Sequence, residues 1–318
     1  MTVRIFAVAP NYPPHSRVGA WIATHAYLAH LTTLGHSVTV LPLCNDGATY
    51  SLDGVNVIPF GRGRDLINGV RSADVVISHC GDNGAAADAA ARYQKPSLRM
   101  AHGRITNPAV LTGAALVVFN SASLAASVTC PSPWIICRPA VDPTVYATTP
   151  GDRVTLVNLS EAKGGELFWR LARCAAHRRF LAVKGGYGVQ YLEELPNVDV
   201  IANTQNMRDD VYRRTRILLM PSESETWGMV AVEALASGIP VIAHPTDGLR
   251  ESLGPAGVFV DRADGAGWLT EIERLHDPVE WAAAAATASA RSAALHPATD
   301  LTRFAAAIEH LGAHECVP

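Results

Sequence analysis

Residues 221–244, with the sequence PSESETWGMVAVEALASGIPVIAH, contain three glutamates, of which Glu225 and Glu233 are separated by seven residues. Carboxylates accept charge-assisted hydrogen bonds and can bind both hydroxyls of a diol. The segment follows an apolar run of strand length and enters a helical pattern near Trp227 or Gly228, where the unpaired N–H groups of a helix start suit an anion. An offset of about two helical turns is expected to leave both carboxylates on one side. The segment therefore predicts a site for an extended ligand with hydroxyl groups and a diphosphate.

Apolar runs of strand length alternate with helical patterns along the chain, which predicts parallel sheets. In the first half, the predicted strands lie at 3–8, 37–43, 55–60, 74–78, 97–100 and 115–120, with a helix at 21–34. In the second half, the predicted strands lie at 154–159, 180–183, 198–201, 217–220 and 241–243, and helices lie at 165–176, 208–214, 228–237 and within 265–311. Several strands are continuously apolar, so we expect helices on both faces of each sheet. The predicted fold class is α/β, with two Rossmann-like, doubly wound parallel-sheet domains.

The proline-rich segment 138–152, RPAVDPTVYATTPGD, interrupts this alternation and is typical of a connection between domains. It divides the chain into an amino-terminal domain at 1–148 and a carboxyl-terminal domain at 149–318. The alanine-rich helices near the end carry few polar candidates, so we expect them to serve packing. They pack either within the second domain or back against the first.

Composition limits the classes of protein to which the chain could belong. With 318 residues, of which 48% are hydrophobic and 17% charged, it can form two ordinary cores. No run approaches the ~18 apolar residues of a membrane-spanning helix, so we expect a cytoplasmic protein without stable membrane insertion. The six cysteines form no CxxC pair and have no metal-ligand spacing, which argues against both zinc and a disulfide framework.

Charge is unevenly distributed around a net value of −3. Residues 1–148 contain ten Lys and Arg residues, seven Asp and no Glu, whereas the remainder contains 16 basic and 22 acidic residues. The mildly basic first half would help to bind an anionic or phosphorylated ligand. It is far weaker than the basic stripe of a dedicated nucleic-acid-binding protein, so nucleic acid is not the favoured partner.

A bare pair of acids at this spacing is typical of ordinary helix starts, but here the pair belongs to a longer pattern. That pattern comprises Pro-Ser, Glu225, Trp227-Gly228, Glu233-Ala234, Ala236-Ser237-Gly238 and Pro240-Val241. It resembles the E-x7-E signature of glycosyltransferase family 4 and its retaining GT-B relatives. The segments RIFAVAPNYPP, LGHSVTVL, NLSEAKG and RPAVDPTVY also resemble that family, so the similarity extends over residues 1 to about 260. The resemblance implies a GT-B fold, in which two Rossmann-like domains face each other across a cleft.

The resemblance also implies roles for the matching residues of the second domain. Glu225 would contact hydroxyls of the donor sugar, and Glu233 would contact the ribose diol of the nucleotide. Lys163 would neutralise the β-phosphate as charge develops on the leaving group, although an exposed loop lysine is the plain alternative. The further donor-contacting positions are Trp227, Gly228 and Met229 for the sugar or diphosphate, and Asn203 and Thr204 for the base.

In the first domain, the resemblance points to Gly19 and His102. Gly19 matches the family's glycine loop, but its neighbours lack the acid usually found there. His102 follows a predicted strand and matches a histidine near the reacting sugar, although a packed strand-end histidine is the alternative. Asn158 stands where many relatives have an arginine on the diphosphate, so Arg104 or Lys184 would be needed to supply that charge. Lys184 begins a glycine-rich turn that could equally be a flexible connection.

The implied function is retaining, metal-independent transfer of a hexose or pentose from a nucleoside-diphosphate sugar, such as a UDP- or GDP-sugar, to an acceptor hydroxyl. A lysine supplies the charge at the phosphate, so neither a metal nor another cofactor is expected. The first candidate acceptor is a soluble small molecule, followed by a modified base in DNA or a polysaccharide. The alternatives are a non-hydrolysing sugar-nucleotide epimerase and an inactive nucleotide-sugar-binding module.

Overall fold

Parallel strands that are buried on both faces form the centre of two units in the computed structural model. The model describes residues 2–16, 18–44, 47–61, 63–80 and 84–313. One unit comprises Met1–Ala140 and Pro297–Pro318, and the other comprises Val141–His296. Each unit has its own sheet with helices on both faces, so the prediction of two Rossmann-like α/β domains is confirmed.

The described strands are β1 (Arg4–Ala9), β2 (Ser37–Pro42), β3 (Tyr50–Leu52), β4 (Val55–Val57), β5 (Val75–His79), β6 (Ser97–Ala101), β7 (Leu116–Phe119), β8 (Trp134–Ile136), β9 (Arg153–Val157), β10 (Phe180–Val183), β11 (Val198–Ile201), β12 (Thr215–Met220), β13 (Val241–Ala243) and β14 (Gly257–Phe259). The described α-helices are α1 (Gly19–Thr33), α2 (Gly63–Ser72), α3 (Ala85–Arg92), α4 (Ala122–Ala126), α5 (Pro143–Tyr146), α6 (Gly165–Cys174), α7 (Met229–Leu235), α8 (Asp247–Leu253), α9 (Gly265–Arg274), α10 (Pro278–Ala294) and α11 (Ala298–Ala313). No helix in the described part of the chain is both long and apolar enough to span a bilayer.

The sheet of the first unit has the order β3-β4-β2-β1-β5-β6-β7-β8. Successive residues of β1 alternate between two cores. Ile5 packs with Tyr27 under α1 and α11, whereas Phe6 packs with Val70 under α2. Helix α11 contributes Phe304, whose ring lies 4.6 Å from that of Tyr27.

The first sheet contains a strand that the sequence did not predict, β3, which pairs antiparallel with β4. The connection between these two strands is only the turn Asp53-Gly54, and so short a connection can join antiparallel strands but not parallel ones. Both turn residues have positive φ, 47° at Asp53 and 79° at Gly54, as tight hairpin turns require. The remaining strand pairs of this sheet are parallel.

The sheet of the second unit has the order β11-β10-β9-β12-β13-β14, and all of its pairs are parallel. Trp169 of α6 and Trp268 of α9 are fully buried against one face. Leu235 of α7 and Leu249 of α8 cover the other face. The chain leaves β9 in one direction and returns to β12 on its other side, which creates a crevice at the carboxyl ends of these strands.

The helix predicted at 208–214 is replaced by less regular turns. Met207–Val211 forms a π-helical turn, and Tyr212–Arg214 forms a 3-10 turn. The side chain of Asn206 accepts a hydrogen bond from the Asp209 N–H, and short polar side chains of this kind compete with the regular helical ladder. This irregular path directs the Tyr212 ring into the core.

An ion pair at the start of the first sheet provides a test of the fold. Asp74 accepts hydrogen bonds from the Arg4 backbone N–H at 2.8 Å and from its guanidinium Nε at 3.1 Å. The hydrogen bonds from the Arg4 side chain outweigh the opposing effect of burial and hold the pKa of Asp74 below its usual value. The pair therefore stabilises the fold above the carboxyl's ordinary pKa, and this contribution is lost as the pH falls through the lowered pKa.

We expect Asp74→Asn to lower the free energy of unfolding by about 1–2 kcal/mol at pH 7. The difference from the native chain should shrink as the pH falls below the ordinary carboxyl pKa of about 4, where Asp74 of the unfolded chain begins to bind protons while the folded chain still holds the carboxylate. Urea denaturation at a series of pH values measures both effects, with the exposed Glu194→Gln as the control. A destabilisation that stays constant down to pH 2 would contradict this account.

Candidate functional site

Two loops meet at the carboxyl edge of the second sheet, on either side of the boundary between β9 and β12. Residues 158–164 follow β9, and residues 221–228 follow β12. The Glu223 N–H donates to the Ala162 carbonyl at 2.9 Å, which joins the loops directly. Arg262 adds a second link, because its guanidinium donates to the Glu161 carbonyl and pairs with Glu223 Oε1 at 2.7 Å. The strand order thus brings two segments that lie about 60 residues apart to one place.

Lys163 and Glu225, both predicted site residues, are brought into contact by these loops. Lys163 Nζ donates to Glu225 Oε1, and the Ser222 hydroxyl donates to the same oxygen at 3.0 Å. Their side chains are 19% and 14% exposed, so the pair is largely shielded but still reachable from solvent. Burial alone would lower the pKa of Lys163, but the Glu225 carboxylate and the Tyr187 hydroxyl outweigh it and raise that pKa. The ammonium is therefore charged at physiological pH.

The backbone beside this pair leaves no room for larger residues. A Cβ on Gly248, in the first turn of α8, would lie 2.2 Å from the Glu225 carbonyl oxygen. Gly164 has φ 84°, and a Cβ there would lie 2.5 Å from the Pro221 ring. Both glycines permit close approach of backbone segments, which fixes the positions from which Lys163 and Glu225 extend.

Glu233 is held by a different partner. It lies in α7 and is only 4% exposed, and the Tyr212 hydroxyl donates to its Oε2 at 2.6 Å. Because α7 begins at Met229, Glu225 precedes the helix, and the separation of the two carboxylates does not follow a helical repeat. The sequence analysis missed Tyr212. Its signal is weak, since any buried tyrosine needs a partner for its hydroxyl and the sequence does not say which.

The residues between the two glutamates mainly shape the backbone. Gly228 has φ 83°, a conformation that favours glycine, and a Cβ there would lie 2.6 Å from Leu249. Trp227 is 3% exposed and packs in a small cluster with Val141 and Val232. Tyr146, Met229 and Leu295 border the same cluster. The Trp227 ring thus serves packing, and contact with a ligand at 227–229 would involve backbone groups.

The Asn158 side chain forms its hydrogen bonds within the second unit. It has a positive φ of 69°, and its amide oxygen accepts hydrogen bonds from the Ser160 N–H at 3.1 Å and from Gln190 Nε2 at 3.0 Å. Asn203 is exposed just beyond β11 and donates to the Lys184 carbonyl at 3.3 Å. Thr204 donates to Asp210 and accepts from the Asn206 N–H at 3.0 Å. These contacts organise the loops after β9, β10 and β11, on one side of the crevice.

In the first unit, His102 contacts helix α1 at Thr24, five residues after Gly19, the first helical residue. His102 Nε2 lies 3.2 Å from the Thr24 hydroxyl, and its ring stacks on His79 with centroids 5.4 Å apart. Desolvation lowers the pKa of His102 to about 3 and that of His79 to about 4. Both imidazoles are therefore neutral at physiological pH. Arg104 is exposed on the loop that follows β6.

The described residues contain no cluster of three or more His, Cys, Asp or Glu side chains that could hold a metal ion. The polar side chains around the Lys163–Glu225 pair include one ammonium, one carboxylate and one hydroxyl. Such a set can bind an anion and a hydroxyl group side by side.

Removal of the Tyr212–Glu233 hydrogen bond should measurably lower the stability of the fold. Tyr212→Phe keeps the buried ring but removes one hydroxyl donor from the nearly buried Glu233 carboxylate, so the free energy of unfolding should fall by about 1–3 kcal/mol. Urea denaturation measures the change. Tyr191→Phe, which removes a hydroxyl from a half-exposed ring, is the matched control and should change stability little. Equal effects of the two substitutions would refute the assignment.

Comparison with known proteins gives matches that centre on the second unit. Residues 158–277 match the family described as Glycosyl transferases group 1. A 69-residue segment is 45% identical to a D-inositol 3-phosphate glycosyltransferase of Corynebacterium kroppenstedtii, covering 21% of this chain and 15% of that protein. A 106-residue segment is 35% identical to the protein of the same name from Corynebacterium efficiens, covering 32% of this chain and 23% of that protein. The chain thus spans less than a quarter of the length of these relatives.

Solved structures match over nearly the whole chain at low identity. Sucrose-phosphate synthase from Thermosynechococcus elongatus aligns with a TM-score of 0.82 at 15% identity, covering 98% of this chain and 100% of that one. Anabaena Alr3699/HepE in complex with UDP aligns with a TM-score of 0.78 at 16% identity, with the same coverage of both chains. At this identity, the likeness concerns the fold. Residues 158–277 therefore match the family of group 1 glycosyltransferases, and the chain has the GT-B fold of these solved structures.

Proposed function

We propose that this chain transfers a sugar from a nucleoside-diphosphate sugar to an acceptor hydroxyl, and that residues 141–296 bind the donor. The observation that carries this proposal is the charged Lys163–Glu225 pair in the crevice between β9 and β12. Open parallel sheets bind ligands in such crevices. An ammonium suits the diphosphate of the donor, and a carboxylate suits the hydroxyls of its sugar.

The proposed role of Lys163 follows from its charge. When the bond between sugar and diphosphate breaks, negative charge develops on the β-phosphate, and a positioned ammonium stabilises it. Because Lys163 and Glu225 pair with each other in this structure, phosphate and hydroxyl groups of the donor must compete with that pairing. We propose that Lys163 supplies this charge without a metal ion.

The proposed donor is a nucleoside-diphosphate hexose or pentose, and UDP-sugars are the first candidates. Solved structures of Alr3699/HepE contain UDP and UDP-glucose, which supports this choice. We propose that Glu233 binds the ribose diol while Tyr212 occupies one of its oxygens. Asn203 and Thr204, exposed or half-exposed beyond β11, are the proposed contacts of the base.

The proposed reaction retains the configuration at the anomeric carbon. The acceptor hydroxyl attacks from the face that the diphosphate leaves, and a phosphate oxygen of the donor accepts its proton, so no protein carboxylate acts as a nucleophile. His102 is proposed to contact the reacting sugar, and its lowered pKa makes it a neutral hydrogen-bonding group there.

The proposed acceptor is a soluble small molecule. The C. kroppenstedtii relative is named for inositol 3-phosphate, and the mildly basic residues 1–148 suit a phosphorylated polyol of that class. A product assay separates this from the other candidates. An epimerase would convert the donor without an acceptor, and an inert binding module would leave the donor unchanged.

The donor is tested by thermal shift with UDP-, GDP-, ADP- and dTDP-sugars. A ligand that binds only the folded chain raises the melting temperature. We expect one nucleotide class to stabilise the chain clearly more than the others. If none of the four raises the melting temperature, the proposed function is wrong.

Transfer should depend strongly on the charged pair. We expect Lys163→Ala to lower kcat by about 10²–10³-fold, the range seen when one group that stabilises transition-state charge is removed. Glu225→Ala should lower kcat/KM at least tenfold through lost hydroxyl contacts. Radiolabelled donor and the best acceptor measure both rates, with Lys95→Ala and Glu194→Ala as controls. Unchanged turnover in both site variants would contradict the assignment.

Stereochemistry and metal dependence are tested in the same assay. NMR of the product should give the same anomeric configuration as the donor, and inversion would refute the retaining mechanism. The rate should persist when EDTA is present throughout, because Lys163 is proposed to carry the charge. Complete loss of transfer in EDTA, with recovery on adding Mg²⁺ or Mn²⁺, would overturn metal independence.

A further inference from the structure

Gln190, in the loop between β10 and β11, joins two loops of the candidate site. Its side-chain oxygen accepts from the Leu159 N–H at 2.9 Å and from the Gly185 N–H at 2.8 Å. Its nitrogen lies 3.0 Å from the Asn158 amide oxygen, 3.0 Å from the Tyr187 carbonyl and 3.1 Å from the Gly188 carbonyl. One side chain thus connects the loop after β9 with the glycine-rich turn at 185–188.

The glycines of this turn allow it to lie directly on the loop after β9. A Cβ on Gly185 would lie 2.3 Å from the Asn158 side chain, where there is no space for it. Gly188 has φ 77°, and a Cβ there would lie 3.2 Å from the Ser160 Cβ. The Ser160 carbonyl in turn accepts from the Lys163 N–H at 3.0 Å. The turn is therefore a fixed element beside the turn that carries Lys163.

Tyr187 is the residue that this turn presents. Gln190 holds its backbone carbonyl, and its side chain is half-exposed, with 51% of the residue accessible. Burial lowers the pKa of Lys163, and the nearby Tyr187 hydroxyl helps the Glu225 carboxylate to raise it instead. An ammonium and a phenol O–H can both donate, so the two groups can bind one phosphate side by side.

We propose that Tyr187 is a further ligand of the donor diphosphate and that Gln190 is the positioning residue that holds Tyr187 beside Lys163. Lys163 supplies the charge and Tyr187 a neutral O–H donor, so two groups from different loops reach one phosphate. Asn158 brings no charge to the site and instead anchors Gln190. The inference rests on the proposed function, because it assumes that the anion at Lys163 is a nucleoside diphosphate.

The test compares UDP with UMP, which lacks the β-phosphate, by isothermal titration calorimetry on the full chain. Tyr187→Phe should weaken UDP binding by roughly tenfold, as expected for loss of one hydrogen bond to a charged group. UMP binding should stay within about twofold of native, since the contact is made to the β-phosphate. Tyr191→Phe, a neighbouring tyrosine that is 43% exposed, is the matched control and should leave both affinities unchanged.

A double-mutant cycle tests the positioning role of Gln190. Gln190→Ala should weaken UDP about as much as Tyr187→Phe, and the variant with both changes should be no weaker than either alone, because both remove the same contact. A merely structural role for Gln190 would weaken UDP and UMP equally and would add to Tyr187→Phe. Thermal melting identifies any variant that fails to fold. If Gln190→Ala fails to fold, Gln190→Glu takes its place, because a glutamate oxygen can still accept from the Leu159 and Gly185 N–H groups.

The possible outcomes separate this inference from the proposed function. If the native chain binds UDP and the Tyr187→Phe variant binds it with the same affinity, the role of Tyr187 is wrong and the proposed function stands. Additive losses in the double variant would overturn the positioning role of Gln190. If the native chain binds no nucleotide among UDP, GDP, ADP and dTDP, the proposed function and this inference both fail.

Discussion

A charged lysine in a shielded crevice requires a carboxylate beside it, and the candidate site is organised around this electrostatic constraint. Desolvation disfavours the ammonium of Lys163, and the Glu225 carboxylate reverses that effect. The Glu225 carboxylate must lie close to the Lys163 ammonium, so the two loops must pack tightly. Gly248 and Gly164 allow this packing, because a side chain at either position would collide with residues 221–226. Ser222 and Arg262 hold the loops that carry the pair. The chemistry proposed for the crevice depends on keeping this one positive charge in place.

The strand order of the second sheet makes this arrangement possible at low cost in conformational entropy. Lys163 follows β9 and Glu225 follows β12, and these strands are direct neighbours although they are distant in sequence. The sheet is stabilised by its own buried core, so the loops at its carboxyl edge begin from strand ends that are fixed in position. A site built on such rigid ends needs few additional contacts to hold its groups in position.

The sequence predicted both sheets, because strand length and apolar runs are visible within short segments. It singled out Lys163 and Glu225 through the family resemblance, but it did not predict that their side chains contact each other. It did not predict Tyr212 or Gln190. Their partners, Glu233 and Asn158, lie 21 and 32 residues away, and only the folded path brings them together.

The irregular secondary-structure elements also could not be predicted from the sequence. The turns at 207–214 and the antiparallel strand β3 depend on local hydrogen bonds and tight turns that override weak periodic patterns. The spacing of Glu225 and Glu233 was correctly noticed but wrongly explained by a helical repeat. The predicted roles of both residues toward a ligand remain predictions.

The small cluster around Trp227 has a mechanical consequence. The chain passes from one unit to the other after Ala140 and again after His296, and the adjoining residues Val141 and Leu295 both belong to this cluster. Val232, its third buried member, is the residue immediately before Glu233. The two ends of the second unit are therefore packed against the helix that carries Glu233, so loosening of this helix would expose both Val141 and Leu295 to solvent.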